Sequence, residues 1–356
     1  GDTQGVTLGE SAASTLVAAR YKERNVTELR EAIELAIVLT DGDTIEAEHV
    51  FTGPRSRQHR LEFDLGTGKI VQWLLRRRVQ AGIALGTTLV FAGLIACCLA
   101  LPDHAVGRVA NGLVWGLWWP ALLVIFVVAG RLWCTWCPLS RVARWGQALI
   151  GLSHRPPAWV KKHAHWLMAL LFVAIVWSEH VFHMPQRPLA TGVFLVTLVV
   201  LAVVVAALTK GEVWCRFACP LGNMSACYSV PATMHVHANP MICQSQCKTH
   251  ECYKGTTEES GCPVFLHPLY VKDSHFCKMC MACVRNCPND SAKLRIRPPP
   301  QDQWSLAELN PQHVPLALTI FLLAPLMLSA VGDPLAYTGL TLLLFALVLP
   351  LRWVIH

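Results

Sequence analysis

Six stretches of the chain carry no Asp, Glu, Lys or Arg: Val79 to Pro102, Asn111 to Gly130, His165 to Ser178, Pro188 to Thr209, His313 to Gly332 and Pro334 to Leu351. A helix that crosses about 30 Å of hydrocarbon at about 1.5 Å per residue needs roughly 20 residues. Five of the runs meet that length. The third meets it as Trp166 to Met184 if Glu179 and His180 stand at the interface. The pattern predicts six transmembrane helices. Ahead of them, Val26, Leu29, Ile33 and Ile37 recur at helical spacing with Gly42 in the turn beyond, which predicts a short amphipathic helix.

These switches of pattern divide the chain into five parts. Residues 1–54 form a small helical segment, 55–78 a basic juxtamembrane linker, and 79–230 four transmembrane helices. Residues 231–300 form a cysteine-rich module, and 313–356 a final helix pair. Composition agrees with a bilayer protein. Of 356 residues 53% are hydrophobic and 15% charged, and the mean hydropathy is +0.41. An ordinary soluble domain is less apolar.

The net charge of +7 changes the picture only in placing the ends of the spans. Lys and Arg lie beside apolar runs rather than along one basic helix, so no nucleic-acid partner is expected. Arg55, Arg57, Arg60, Lys69, Arg76, Arg77 and Arg78 precede the first span. Arg131, Arg141, Arg144, Arg155, Lys161 and Lys162 lie between the second and third. The opposite connections carry Arg108, Arg187 and, around Asp333, no positive charge. By the positive-inside rule both termini and the cysteine-rich module face the cytoplasm, in a multi-pass protein of the bacterial inner membrane. Trp115, Trp118, Trp119, Trp133, Trp136 and Trp214 are expected at span ends as interface anchors, with lipid as the first partner.

Fifteen cysteines carry the chemistry. Cys277, Cys280, Cys283 and Cys287-Pro288 make the C-x2-C-x2-C-x3-C-P run of bacterial ferredoxins, in which three thiolates wrap one 4Fe-4S cubane and the fourth reaches a second. Zinc sites use two separated pairs instead. A looser set lies upstream: Cys243, Cys247, Cys252 and Cys262-Pro263. With the ferredoxin crossover, Cys243, Cys247, Cys252 and Cys287 bind one cluster, while Cys277, Cys280, Cys283 and Cys262 bind the other. Two further pairs close inward-running spans, Cys134 with Cys137-Pro138 and Cys215 with Cys219-Pro220. At i and i+4, Cys215 and Cys219 would share a helix face, and Arg131 and Arg216 would favour thiolate. These four are a candidate third redox centre, or else thiols without metal. Cys97, Cys98 and Cys227 lack partner spacing and read as packing residues.

A Cys-Pro motif after one span, a second after another, then a two-cluster module and a final helix pair resemble the NosR, NapH and CcoG group of polytopic membrane iron-sulfur proteins, over Arg76 to His356. The first motif has two residues between its cysteines where that group usually has three, and nothing is similar to the flavin-binding domain of NosR. The resemblance implies electron transfer between a quinone pool or soluble donor and a partner reductase or, for the CcoG type, reduction of a metal ion such as cupric ion during oxidase assembly. The amino-terminal segment, Asn25 to Val50, resembles the lid helices of sigma-54-dependent AAA+ activators, with Arg24 in place of a glycine. There is no Walker A sequence, so it implies a docking module or remnant, and a redox-sensing regulator becomes the third reading.

Among rival cofactors, haem finds no mid-span histidine: His165, His180, His183 and His313 all sit at span ends. A proton pump would need buried carboxylates, and the spans hold none. Glu179, His180 and His183 are candidates for a quinone headgroup, or else solvated interface residues. All the cysteine motifs lie on one side of the bilayer. Quinone or partner redox subunits are therefore expected to complete the electron path.

Overall fold

The computed structural model describes the chain outside residues 1–5, 20, 22–25, 41, 53–61, 67, 153, 155–157, 210–211, 230, 272–276, 297–318, 321–332 and 356. It divides into two compact units. One joins Gly1–Leu75 to Met234–Pro298, and the other joins Arg76–Thr233 to Pro299–His356.

The second unit is a helical assembly. Among the described residues four helices are long and apolar enough to cross a membrane: Arg77–Ala100, Ala105–Ala129, His163–Val181 and Pro188–Leu208. They match the first four expected spans. The fifth, His313 to Gly332, lies outside the described residues apart from Thr319 and Ile320. The sixth falls on the helix Pro334–Ile355, whose shorter apolar part is Pro334–Val348.

Small residues let these helices close on one another, the packing mode of membrane helices that lack a hydrophobic driving force in lipid. A methyl group on Gly146, in the helix Pro138–Ile150, would stand 2.8 Å from Val203 Cγ1. One on Gly192 would stand 2.7 Å from Leu99 Cδ2. Leu122, Phe126, Ala169, Phe172, Val176 and Met224 form one buried core. Leu139, Ala143, Ala202, Ala206, Trp214, Ala218 and Cys219 form another.

The second span is not a uniform α-helix. Leu113–Trp118 is a π-helical turn, in which the Trp119 N–H bonds the Val114 carbonyl. Pro120 lacks an N–H and its ring crowds the preceding turn, and the widened turn absorbs both defects. This span begins at Ala105, so Trp115, Trp118 and Trp119 fall in its middle rather than at its end, and Trp214 is 1% exposed. The expected anchor role is corrected for these four. Trp115 Nε1 donates to Thr191 Oγ1 at 2.9 Å, and Trp118 packs edge-on against Trp133.

In the first unit, β1 (Thr7–Leu8) pairs in parallel with β2 (Thr44–Ile45), flanking the helices Glu10–Ala18 and Val26–Leu39. The amphipathic helix is where the periodicity placed it. Its most buried stripe, however, is Ala32, Ala36 and Leu39, with Leu29, Ile33 and Ile37 beside it and Val26 77% exposed.

A second sheet runs in the order β3 (Phe63–Asp64), β5 (Ala292–Ile296), β4 (Met234–Ala238), all antiparallel. Side chains alternate across it. Val236, Ala238, Ala292 and Leu294 present a buried apolar face. His235, His237, Lys293, Arg295 and Asp64 share the opposite one, as the register His235 to Arg295 to Asp64 requires.

The amino-terminal segment belongs to the same packed body as the cysteine module. Leu39 packs with Cys252 and Tyr253. Tyr253 Oη donates to the Glu48 carbonyl at 2.9 Å, and the Phe51 ring stacks on Tyr270.

Candidate iron-sulfur sites

The two Cys-Pro junctions of the second unit are built alike. A residue before proline is driven out of the α region. Cys137 accordingly takes φ −59°, ψ 127° and ends the short helix Leu132–Trp136, and Cys219 takes φ −72°, ψ 115°. Each following proline opens a new helix, where a missing N–H costs nothing. The turn Trp214–Ala218 is π-helical, closed by the Cys219 N–H on the Trp214 carbonyl at 2.7 Å. The expected shared α-helical face of Cys215 and Cys219 is therefore corrected: proline lifts Cys219 off the helix. Thr87 Oγ1 holds the other junction by donating to the Trp136 carbonyl at 2.6 Å.

These junctions bring Cys134, Cys137, Cys215 and Cys219 together around Arg131. Arg131 is 5% exposed. Burial alone would lower its guanidinium, but Cys134, Cys215 and Cys219 outweigh that and raise it. Burial pushes the Cys219 thiol well up, reinforced by Cys215, Cys137 and Cys134. The Gly222 N–H points at Cys219 Sγ from 3.3 Å. A methyl group at Gly222 would stand 2.9 Å from the Cys215 carbonyl oxygen, 3.3 Å from Cys219 Cβ and 3.4 Å from Arg131 Nη2. Glycine keeps this cradle open.

In the first unit the other eight cysteines sort into two groups that touch. Cys243, Cys247, Cys252 and Cys287 line one pocket, with Ala238, Ala292, His267 and Ser291. Burial pushes the Cys252 thiol far above its ordinary value, and the neighbours that oppose its charge are, in order, Cys247, Cys287, Cys243 and Cys262. For Cys283 burial acts first, followed by Cys277, Cys280, Cys262 and Cys252. The structure thus gathers the two sets that the crossover pattern expects, with Cys252 and Cys262 between them.

Backbone strain is concentrated in these loops. Met279 and Met281, at 1% and 2% exposure, sit at φ 55° and 60°, and His250 sits at φ 51°. Left-handed non-glycine residues are costly and gather where a loop must wrap a ligand. Backbone N–H groups also reach sulfur, from Leu266 to Cys262 at 3.3 Å and from Ser291 to Cys287 at 3.2 Å. Ser291 Oγ lies 3.1 Å from Cys243 Sγ.

His267 is a neighbour that sequence reading missed. Burial and His250 bring it down to about 3, so it is a neutral imidazole. Its Nδ1 accepts from the Leu269 N–H at 3.3 Å, which leaves the proton on Nε2, 3.0 Å from His250 Nδ1 and 3.9 Å from Cys252 Sγ. The chain between Cys252 and Cys262 is a built hairpin rather than slack. Gly255 has φ 95°, Thr256 N–H bonds the Glu259 carbonyl at 2.8 Å, and Glu259 pairs with Arg285 between the ferredoxin cysteines.

With that geometry in hand the chain can be set beside known families. It is similar to a 4Fe-4S binding domain over residues 111–151 and 191–232. These stretches hold both Cys-Pro junctions and the helices that lead into them, and exclude the Cys277 to Pro288 run. No curated protein and no solved structure matches the chain. The matched family and the apolar helices fit a membrane iron-sulfur protein.

The residues present suit such clusters. Twelve soft thiol donors gather in groups of four, and burial raises the Cys219, Cys243, Cys252 and Cys283 thiols, whose protons a cationic core would replace. The N–H groups of Gly222, Leu266 and Ser291 stand against sulfurs, the outer-shell support that tunes iron-sulfur ligation. Of the remaining cysteines, Cys98 is buried at 0% exposure and Cys227 packs against the core that holds Met224. At the far end of the third span, the His180 ring stacks on Tyr337 at 3.7 Å, and His183 takes φ 51°.

Proposed function

We propose that this chain is a membrane-anchored iron-sulfur electron-transfer subunit with three 4Fe-4S clusters. Cys243, Cys247, Cys252 and Cys287 hold one, and Cys277, Cys280, Cys283 and Cys262 hold the second. Cys134, Cys137, Cys215 and Cys219 hold the third. When bound, the clusters supply one-electron redox chemistry. The chain's own residues exclude water, hold the thiolates at fixed positions and direct N–H groups at sulfur, which sets the potential.

One observation carries this reading: the 4Fe-4S family match falls on the Cys-Pro junctions, while the cysteines with the ferredoxin spacing gather separately in the first unit. Two independent signals thus give one chemistry. The order of motifs supports membership of the NosR, NapH and CcoG group. On this reading six spans cross the bacterial inner membrane, the clusters face the cytoplasm, and electrons pass between a quinone and a partner redox subunit. The lid-like amino-terminal segment is then a fixed part of the cluster-bearing unit.

The test is iron and sulfide analysis of anaerobically purified protein in detergent. About twelve iron atoms per chain are expected, falling to about eight when Cys215 and Cys219 are replaced by Ser, with the two ferredoxin-type signals in electron paramagnetic resonance retained. Iron unchanged in that double variant would demote the Cys-Pro junctions to packing.

A further inference from the structure

The polar face of the β3–β5–β4 sheet holds a cluster of side chains that the iron-sulfur reading leaves unused. His235 and His237 stand two residues apart on β4 and so share a face. Glu62, immediately before β3, reaches them across the intervening strand. One ligand atom from each, two imidazole nitrogens and a carboxylate oxygen, lie within 4.8 Å of one another. All three side chains are withdrawn from water: Glu62 is 1% exposed and His235 7% at the side chain, and His237 is 1% exposed as a residue. Arg295 Nη1, on β5, donates to Glu62 Oε2 at 3.0 Å and so turns Oε1 toward the histidines.

We infer that Glu62, His235 and His237 form a binding site for a first-row divalent cation of the zinc class, distinct from the cluster cysteines. The donor set decides the class. Two imidazoles and a carboxylate suit zinc or its transition-metal neighbours, whereas magnesium and calcium want more oxygen ligands. Spacing agrees as well. Two ligands at zinc bond lengths on a tetrahedral ion stand about 3.3 Å apart, and Glu62 Oε1 lies 3.2 Å from His235 Nε2. The Arg295 hydrogen bond is the outer-shell support that orients a ligating carboxylate.

The position gives the site a role. It ties the start of β3 to β4, and β4 runs straight into the cluster pocket: Ala238 lines it, and the Asn239 N–H bonds Ser291 Oγ at 3.0 Å. A cation there fastens the strand that leads into the helix Pro240–Ser245, which carries Cys243, from the sheet face opposite Ala238.

The probe is zinc itself. Full-length protein in detergent, dialysed against zinc and then against buffer, should retain about one zinc per chain beside its iron. Zinc K-edge absorption, which sees only that element, should show a nitrogen and oxygen shell with imidazole scattering. Glu62→Gln and His237→Gln should each lose the zinc while iron content stays at the wild-type level. A sulfur shell around zinc, or only substoichiometric zinc on the wild-type protein, overturns the assignment whether or not the variants fold. Zinc retained with an unchanged shell in His237→Gln overturns it equally.

Discussion

Single positions decide whether the buried thiols can meet a cluster, and Gly222 shows how little room is left. An alanine there would press its methyl group on the Cys215 carbonyl oxygen at 2.9 Å and, on its other side, on the Arg131 guanidinium. Backbone cannot give as a flexible side chain can. On the proposed function, Gly222→Ala should therefore lose the third centre, about four iron atoms per chain, while the ferredoxin-type signals in electron paramagnetic resonance persist. Full iron in that variant would mean the cradle is not a ligand site. The grouping of the cysteines was expected from the sequence, because a cubane would fix how many residues can separate its ligands. His267 beside Cys252, Ser291 Oγ beside Cys243 and the contact of Gly222 with Arg131 were not, because each joins residues far apart in the chain, which no local spacing encodes. Gly222 left the nearest thing to a signal, standing two residues after Pro220 in a motif already marked by its cysteines.

At the scale of elements the hydrocarbon spacing made the spans readable, since a charge-free run of the right length has few other uses. What happens inside a span was hidden. The π-helical turn Leu113–Trp118 lies just ahead of Pro120, and only the course of the backbone shows that this defect is absorbed by widening. The helix Glu10–Ala18 and the strands β4 and β5 were also missed. Their periodic runs are short, and the alternation of Met234 to Ala238 gains meaning only beside that of Ala292 to Ile296. Packing of the helix Pro138–Ile150 against the fourth span gives a direct test. Gly146→Val would drive side-chain atoms into Val203, already 2.8 Å from a single methyl. Overpacking should destabilise the helix pair by about 1–3 kcal/mol, read as earlier thermal unfolding in detergent, with no change in iron content of the protein that remains folded. An unaltered melting profile would show that the helices do not close as described.

For the whole molecule, the division into units was the least legible feature, because it joins Gly1–Leu75 to Met234–Pro298 across the entire set of four candidate spans. If that compact body lies in one aqueous compartment, as the proposed function has it, the chain between its halves crosses the bilayer an even number of times. Four candidate spans satisfy that parity. With positive residues held inside, a membrane-impermeant thiol label applied from outside should modify a cysteine introduced beside Arg108 and miss one introduced beside Lys254. Reversed labelling would invert the electron path. The same discontinuity has a consequence for biosynthesis. On the ribosome, Gly1–Leu75 is made before all four candidate spans and must wait for them, because Cys252 and Tyr253, which cover Leu39, have not yet been translated. On the proposed reading, maturation of the two ferredoxin-type clusters is thereby a late event that follows synthesis of all four candidate spans.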